Sequence, residues 1–187
     1  MENLVKARIL QVKKGDKNAF AEIVSLYKDK IFLLCYRMLG NVHEAEDMAQ
    51  EAFIKAYINL HTFKMEKKFS TWLYRIATNL SIDRLRKKKP DFYLDQEIAG
   101  TEGLTMYSQV AADIALPEDE AESREMASAI HNEIMALPEK YRSAIILKYL
   151  DELSLNEISE ILNIPVGTVK TRIHRGREAL RKRLRHL

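Results

Sequence analysis

Lys170, Thr171, His174 and Arg175 are spaced i, i+1, i+4 and i+5 within the stretch IPVGTVKTRIHRGREAL, residues 164–180. On a helix that spacing points all four to one side, while Val169, Ile173 and Leu180, at steps of four and seven, point to the other. Lysine and arginine can donate to guanine acceptors or phosphates, and threonine can touch a base or the backbone, so the polar side suits a major groove. Arg172, Arg177 and the RKRLR tail add candidate phosphate contacts, with Thr168 at the start of the same helix. A solvated basic helix would carry the same charges. The order of the preceding signals separates the two readings. Ser154 with Glu157 forms a capping box for a short helix bearing Leu155, Ile158, Ile161 and Leu162. Asn163 tolerates the left-handed conformation that leaves a helix, and Pro165 suits the first turn of the next. Short helix, tight turn and two-faced helix is the order of a helix-turn-helix.

A second constellation lies in FSTWLYRIATNLSIDRLRKKKP, where Ser70 or Thr71 can cap a helix and Leu73, Ile76, Ala77 and Leu80 make its core stripe. Another stripe holds Trp72, Arg75, Asn79 and Arg86. An aromatic plane, guanidinium groups and an amide together suit single-stranded nucleic acid, by stacking, phosphate pairing and base-edge hydrogen bonds. Trp72 can equally be half-buried core. A third row, Glu44, Asp47, Gln50, Glu51 and Ile54, is mostly acidic on an otherwise basic segment. It reads either as a solvated face with a Glu51 to Lys55 pair or as a docking surface.

Around these groups the chain predicts an all-α protein. Its 187 residues include only 6 Gly and 4 Pro, with helix-favouring residues dominant. Phe20, Ile23, Val24, Tyr27, Ile31, Leu34 and Met38 mark one helix face, ended by Gly40 and Asn41; Asn41 then caps a helix with Ala45, Ala49, Ala52, Phe53, Ala56 and Leu60 inward. Pro138 opens the first helix after the middle segment. The net charge of +3 conceals a pattern. Residues 1–90 hold 18 Lys+Arg against 10 Asp+Glu, residues 91–127 hold 1 against 10, residues 128–169 hold 3 against 6, and residues 170–187 hold 8 against 1. The acidic stretch 91–127, with Gly100, Gly103 and Pro117, reads as a linker between small helical domains at 1–90 and 128–187. Its acidity serves either solvation or mimicry of nucleic-acid charge in a basic channel.

Other chemistries find no support. Clustered carboxylates, a nucleophile with its base and a phosphate-cradling glycine loop are all missing, so no catalytic residues are assigned and no cofactor is expected. The single cysteine, Cys35, excludes an internal disulfide, and His43, His61, His131, His174 and His186 are scattered, so no metal site is expected. No run approaches the ~20 apolar residues of a membrane span, and no signal-peptide core appears, which predicts a cytoplasmic protein without membrane insertion.

AFAEIVSLYKDKIFLLCYRMLGN, EAEDMAQEAFIKAY, FSTWLYRIATNLSIDRLRKKK and LDELSLNEISEILNIPVGTVKTRIHRGREALRKRL, in that order, resemble the extracytoplasmic-function (ECF) group of bacterial sigma factors, in which region 2 and region 4 are joined by a linker. The resemblance implies promoter-specific initiation with core RNA polymerase, with envelope-stress genes as the expected targets. It implies that Asp47, Gln50, Glu51 and Ile54 bind the β′ clamp helices and that the polymerase β flap is a further partner. By the same resemblance Asn79 lines a pocket for a flipped-out −10 base, with Phe63, Lys64 and Phe69 in or near the recognition loop. Lys170, Thr171, His174 and Arg175 fall on positions that contact the −35 element. Polymerase supplies the active site and its magnesium, and a membrane-anchored anti-sigma factor is an expected partner. The alternative is a stand-alone helix-turn-helix regulator of duplex DNA.

Overall fold

In the N-terminal domain the longest element is α2 (Asn18–Leu39), preceded by α1 (Glu2–Lys13) and followed by α3 (Val42–Ile58), a 3-10 turn (Leu60–Thr62) and α4 (Phe69–Lys88). The C-terminal domain comprises α5 (Glu120–Met135), α6 (Glu139–Ile145) running into a π-helical turn (Ile146–Leu150), α7 (Leu155–Leu162) and α8 (Val166–Arg183), closed by a 3-10 turn (Leu184–His186). This computed structural model describes residues 2–88 and 120–186, and every regular element among them is helical.

The predicted stripe of α2 is buried at Phe20, Ile23, Tyr27, Ile31, Leu34 and Met38, and α2 packs against α1, α3 and α4. Gly40 ends it in the left-handed region (φ 69°), its N–H donating to Tyr36 O at 2.8 Å. Asn41 Oδ1 accepts from Glu44 N at 3.0 Å, which caps α3 as predicted. The Glu44 carboxylate accepts from Arg84 at 3.0 and 3.2 Å, tying α3 to α4.

Three features depart from the sequence reading. Residues 2–13 were assigned to no element, yet α1 forms because Val5, Ile9 and Val12 fall at i, i+4 and i+7; the first two are fully buried and the third packs against the core. Helix α4 begins at Phe69, so Ser70 and Thr71 lie inside its first turn instead of capping it. The Phe69 N–H donates to Glu2 Oε1 at 3.2 Å, a cap from the far end of the chain. Residues 120–127, expected within the linker, belong to α5, since no Gly or Pro lies between Pro117 and Pro138 to break the helix. The remainder of that linker, 91–119, lies outside the described residues.

Gly176 is buried where α8 crosses α6. A Cβ there would meet Ile145 Cγ1 at 2.7 Å and Cδ1 at 3.1 Å, so the glycine permits a close approach between the helices.

Candidate nucleic-acid interface

The helix-turn-helix forms as its residues dictate. Ser154 Oγ accepts from Glu157 N at 3.3 Å, and Glu157 Oε2 accepts from Ser154 N at 3.0 Å. Asn163 adopts φ 53°, ψ 48°, and Pro165 at φ −58°, ψ 147° starts α8 in a new direction. Ile158, Ile161, Val169 and Ile173 close the space between α7 and α8. Lys170, Thr171, His174, Arg175 and Arg177 are exposed, whereas Thr168 and Arg172 are half-buried at the flanks. The Thr171 hydroxyl donates to Gly167 O at 3.0 Å, which leaves its oxygen free to accept. Arg175 hydrogen-bonds the Tyr141 hydroxyl and lowers its pKa, so α6 steadies that guanidinium. An open groove of about 540 Å³ extends the cationic track past His174 and Arg177 to Arg181 and Arg185.

In the N-terminal domain, the residues expected at the second site separate into two layers. Phe63 and Phe69 are 3% and 0% exposed, with rings edge-to-face at 5.5 Å, and the half-buried Trp72 lies 5.4 and 5.6 Å from them. Phe63 and Phe69, expected among the −10 contacts, have their rings buried in this aromatic cluster. They form the floor of loop 63–68, and Trp72 follows its half-buried core reading. Above that floor Lys64 is exposed, as are Arg75, Asn79 and Arg86 along α4. Arg75 and Asn79 are one turn apart, with Arg86 two turns beyond.

On α3 the acidic row is present as a surface. Asp47 and Gln50 are exposed, and Glu51 pairs with Lys55 at 3.0 Å. Ile54 is 58% exposed. Tyr57 and Ile58, the latter 63% exposed, continue its apolar patch and were missed in the sequence reading. The signal was available: Ile54 and Ile58 are one turn apart and off the alanine stripe.

The two domains pack against each other through α4 and α7, and through α2 against α5 and the π-helical turn. Arg37 on α2 meets Asp151 Oδ1 at 3.0 Å and donates to Leu150 O at 2.9 Å. Arg142 on α6 donates to Met38 O at 2.8 Å, to Leu137 O at 3.1 Å and to Met135 O, so one guanidinium gathers three carbonyls near helix ends. Tyr36 stacks on His131 at 5.7 Å. At the other edge of the seam, Lys67 pairs with Glu160 at 3.1 Å and Lys68 with Glu157 at 2.8 Å. Both lysines belong to the 63–68 loop, so in this arrangement carboxylates of α7 cover two of its cations. The Glu157 carboxyl is held down at about 2, by Lys68 first and then by the two Ser154 bonds.

Residues 23–90 match Sigma-70 region 2, and residues 127–180 match Sigma-70, region 4. Over all 187 residues the chain is 72% identical to the ECF RNA polymerase sigma factor SigW of Bacillus subtilis (strain 168), with 100% of both chains covered. The chain belongs to the ECF sigma factors. This sigma factor is also 38% identical over 180 residues to the ECF RNA polymerase sigma-E factor of Escherichia coli (strain K12), covering 95% of its own length and 92% of the relative. Its fold is shared with CnrH, solved in complex with the cytosolic domain of CnrY, at a TM-score of 0.69, 19% identity and 97% coverage of each chain. As an ECF sigma factor it directs promoter-specific initiation by RNA polymerase. A stand-alone regulator would leave the region 2 match without a role. No helix among the described residues is long and apolar enough to cross a membrane, and no three of their His, Cys, Asp or Glu side chains gather to hold a metal ion.

Proposed function

We propose that this sigma factor reads its promoter at two separate surfaces and docks on polymerase through a third, by recognition without catalysis of its own and in the cytoplasm. Lys170, Thr171, His174 and Arg175 enter the major groove of the −35 duplex, with Arg172 and Arg177 on flanking phosphates. Lys64, Arg75, Asn79 and Arg86 engage unpaired −10 bases and their backbone above the Phe63, Phe69 and Trp72 floor. Holding a base outside the stack offsets an unstacking cost of about a few kcal/mol, which favours the melted promoter. Asp47, Gln50, Glu51 and Ile54, extended by Ile58, bind the β′ clamp helices, and region 4 meets the β flap. Residues 1–90 act as the unit for polymerase and the −10 element, and the C-terminal helices as the −35 unit. Engagement of both elements separates the domains and frees Lys67 and Lys68. A membrane-anchored anti-sigma factor that favours the packed arrangement is the expected antagonist, and envelope-stress genes are the expected targets.

The observation that carries this reading is the exposure of a mixed acidic and apolar face on region 2 beside two cationic surfaces, since a self-sufficient DNA binder has no use for the first. The test is transcription by core polymerase from a promoter library randomised at −35 and −10, with and without the protein. Selective initiation that is lost on Asn79→Ala at −10, and on Lys170→Ala with Arg175→Ala at −35, is the expected result. Tight duplex binding by the protein alone, with no initiation, would leave a conventional regulator.

A further inference from the structure

Loop 63–68 is held at both ends by one helix that lies outside the matched residues 23–90. At its entrance Lys13 Nζ donates to Phe63 O at 3.1 Å, a contact across 50 residues of sequence. At its exit Glu2 Oε1 accepts from Phe69 N at 3.2 Å, across 67 residues. These two side chains stand at the first and last positions of α1, and between them Val5 and Ile9 fasten the helix to the core. Both bonds reach backbone atoms, so they fix the path of the loop whatever its side chains are. The Phe69 N–H has no local acceptor from the side chain before it, because Lys68 offers only donors. A serine or aspartate at 68 would cap the N–H of Ser70 or Thr71 and still leave the Phe69 N–H to α1. The Glu2 carboxylate also lies near the Lys68 ammonium and the Tyr27 hydroxyl, at the junction of loop, α2 and α4.

We infer that α1 is a brace for the −10-reading loop, with Lys13 and Glu2 as positioning residues that fix its two ends and so set how selectively −10 bases are held. The inference rests on the assignment of the loop and Asn79 to the −10 element. Neither side chain needs to touch DNA. Between them they hold the backbone on either side of Lys64, whose ammonium must meet a phosphate or base at a set place. Selectivity at −35, read by α8 in the other domain, does not pass through α1.

The test uses the full chain with core polymerase on two libraries, one randomised at −10 with a fixed −35 element and one the reverse, for Lys13→Met, Lys13→Arg, Glu2→Leu, Glu2→Gln and Asn79→Ala. Arginine keeps a donor and glutamine keeps an acceptor, while methionine and leucine keep only bulk. Expected is a loss of −10 preference of about five- to tenfold for Lys13→Met and for Glu2→Leu, the scale of one hydrogen bond in water. Recovery in Lys13→Arg and Glu2→Gln should accompany it, with −35 preference unchanged. Lys13 is exposed, so its replacement leaves the buried face of α1 intact. Loss of −10 and −35 preference together, in step with a lower melting temperature, would reduce α1 to ordinary packing and overturn the brace. Unchanged −10 preference in the brace variants, beside an altered one in Asn79→Ala, overturns the brace and leaves the promoter reading intact. If Asn79→Ala is also without effect at −10, the promoter reading fails and the brace with it.

Discussion

In region 4 the groups assigned to duplex DNA stand on the outer face of one regular helix, α8, whose inner face is fixed by Val169 and Ile173. In region 2 those assigned to unpaired bases straddle an irregular loop and the helix after it, above three packed aromatic rings. A duplex presents a repeating surface, and a rigid rod with periodic side chains can meet it. Unpaired bases have no such repeat, so their reader needs backbone that departs from helical geometry, and such backbone must be tied down from outside. Region 4 is therefore built from local signals and region 2 from distant ones.

The sharpest way to break this contrast is to disable one reader. Lys170→Ala with Arg175→Ala should lower −35 preference by about 100-fold, at about 1–3 kcal/mol per good base contact, while −10 preference in the same library stays put. Loss of both preferences would show that the readers are not separable. Gly176→Leu comes next. Its side chain cannot fit against Ile145, and overpacking of this kind costs about 1–3 kcal/mol. Calorimetry should show the C-terminal helices melting earlier with the region 2 core unmoved; an unaltered trace would deny the close approach of α6 and α8.

Acidity probes the seam. Asp151 faces Arg37 on α2 and Tyr74 on α4, and burial pushes its carboxyl up to about 6, with Arg37 only partly opposing. Separated domains would return it to the ordinary aspartate value, so closing takes up a proton. The packed arrangement is then favoured as pH falls toward about 4 and loses that contribution as pH rises through 6. His131 at the same seam pulls the other way, since burial, Arg142 and Arg37 lower its pKa, and the larger displacement of Asp151 sets the net direction. Glu157 contributes at neutral pH and fades only on acidification toward 2. Energy transfer between labels on the two domains should rise on going from about pH 7.5 to about pH 5.5, and Asp151→Asn should reverse the trend by leaving His131 alone. A flat profile in the unaltered protein would remove Asp151 from the account. The smallest effect is expected from Glu160→Gln, which releases Lys67 from an exposed pair of about 0.2–1 kcal/mol. Affinity for a single-stranded −10 oligonucleotide should rise by about twofold to fivefold, more at low salt, and no change would mean that Glu160 does not compete for that lysine.

The same contrast governs what the sequence made legible. Ser154, Asn163 and Pro165 act on neighbours within a few residues, so cap, turn and the exposed cationic face of α8 were all legible in the sequence. The cap of α4 could not, because its acceptor is Glu2, and local capping logic turned instead to Ser70 and Thr71. The burial of Phe63 and Phe69 could not be read either, since residue type does not tell a stacking platform from a packed floor. Helix α1 was readable from Val5, Ile9 and Val12 and was overlooked. The pairing of Lys67 and Lys68 with carboxylates of α7 depends on how two domains meet, and no periodicity within either carries that.

Cys35 is the only cysteine in the chain, and it sits fully buried in α2 with burial pushing its thiol up to about 11. At neutral pH it is a poor nucleophile with no path to solvent. The protein thus arrives chemically silent toward maleimides. A pair of cysteines introduced on exposed positions of α1 and α8 would be the sole reactive thiols, so the distance between the domains can be followed on polymerase, one molecule at a time, without first removing a native residue from the core.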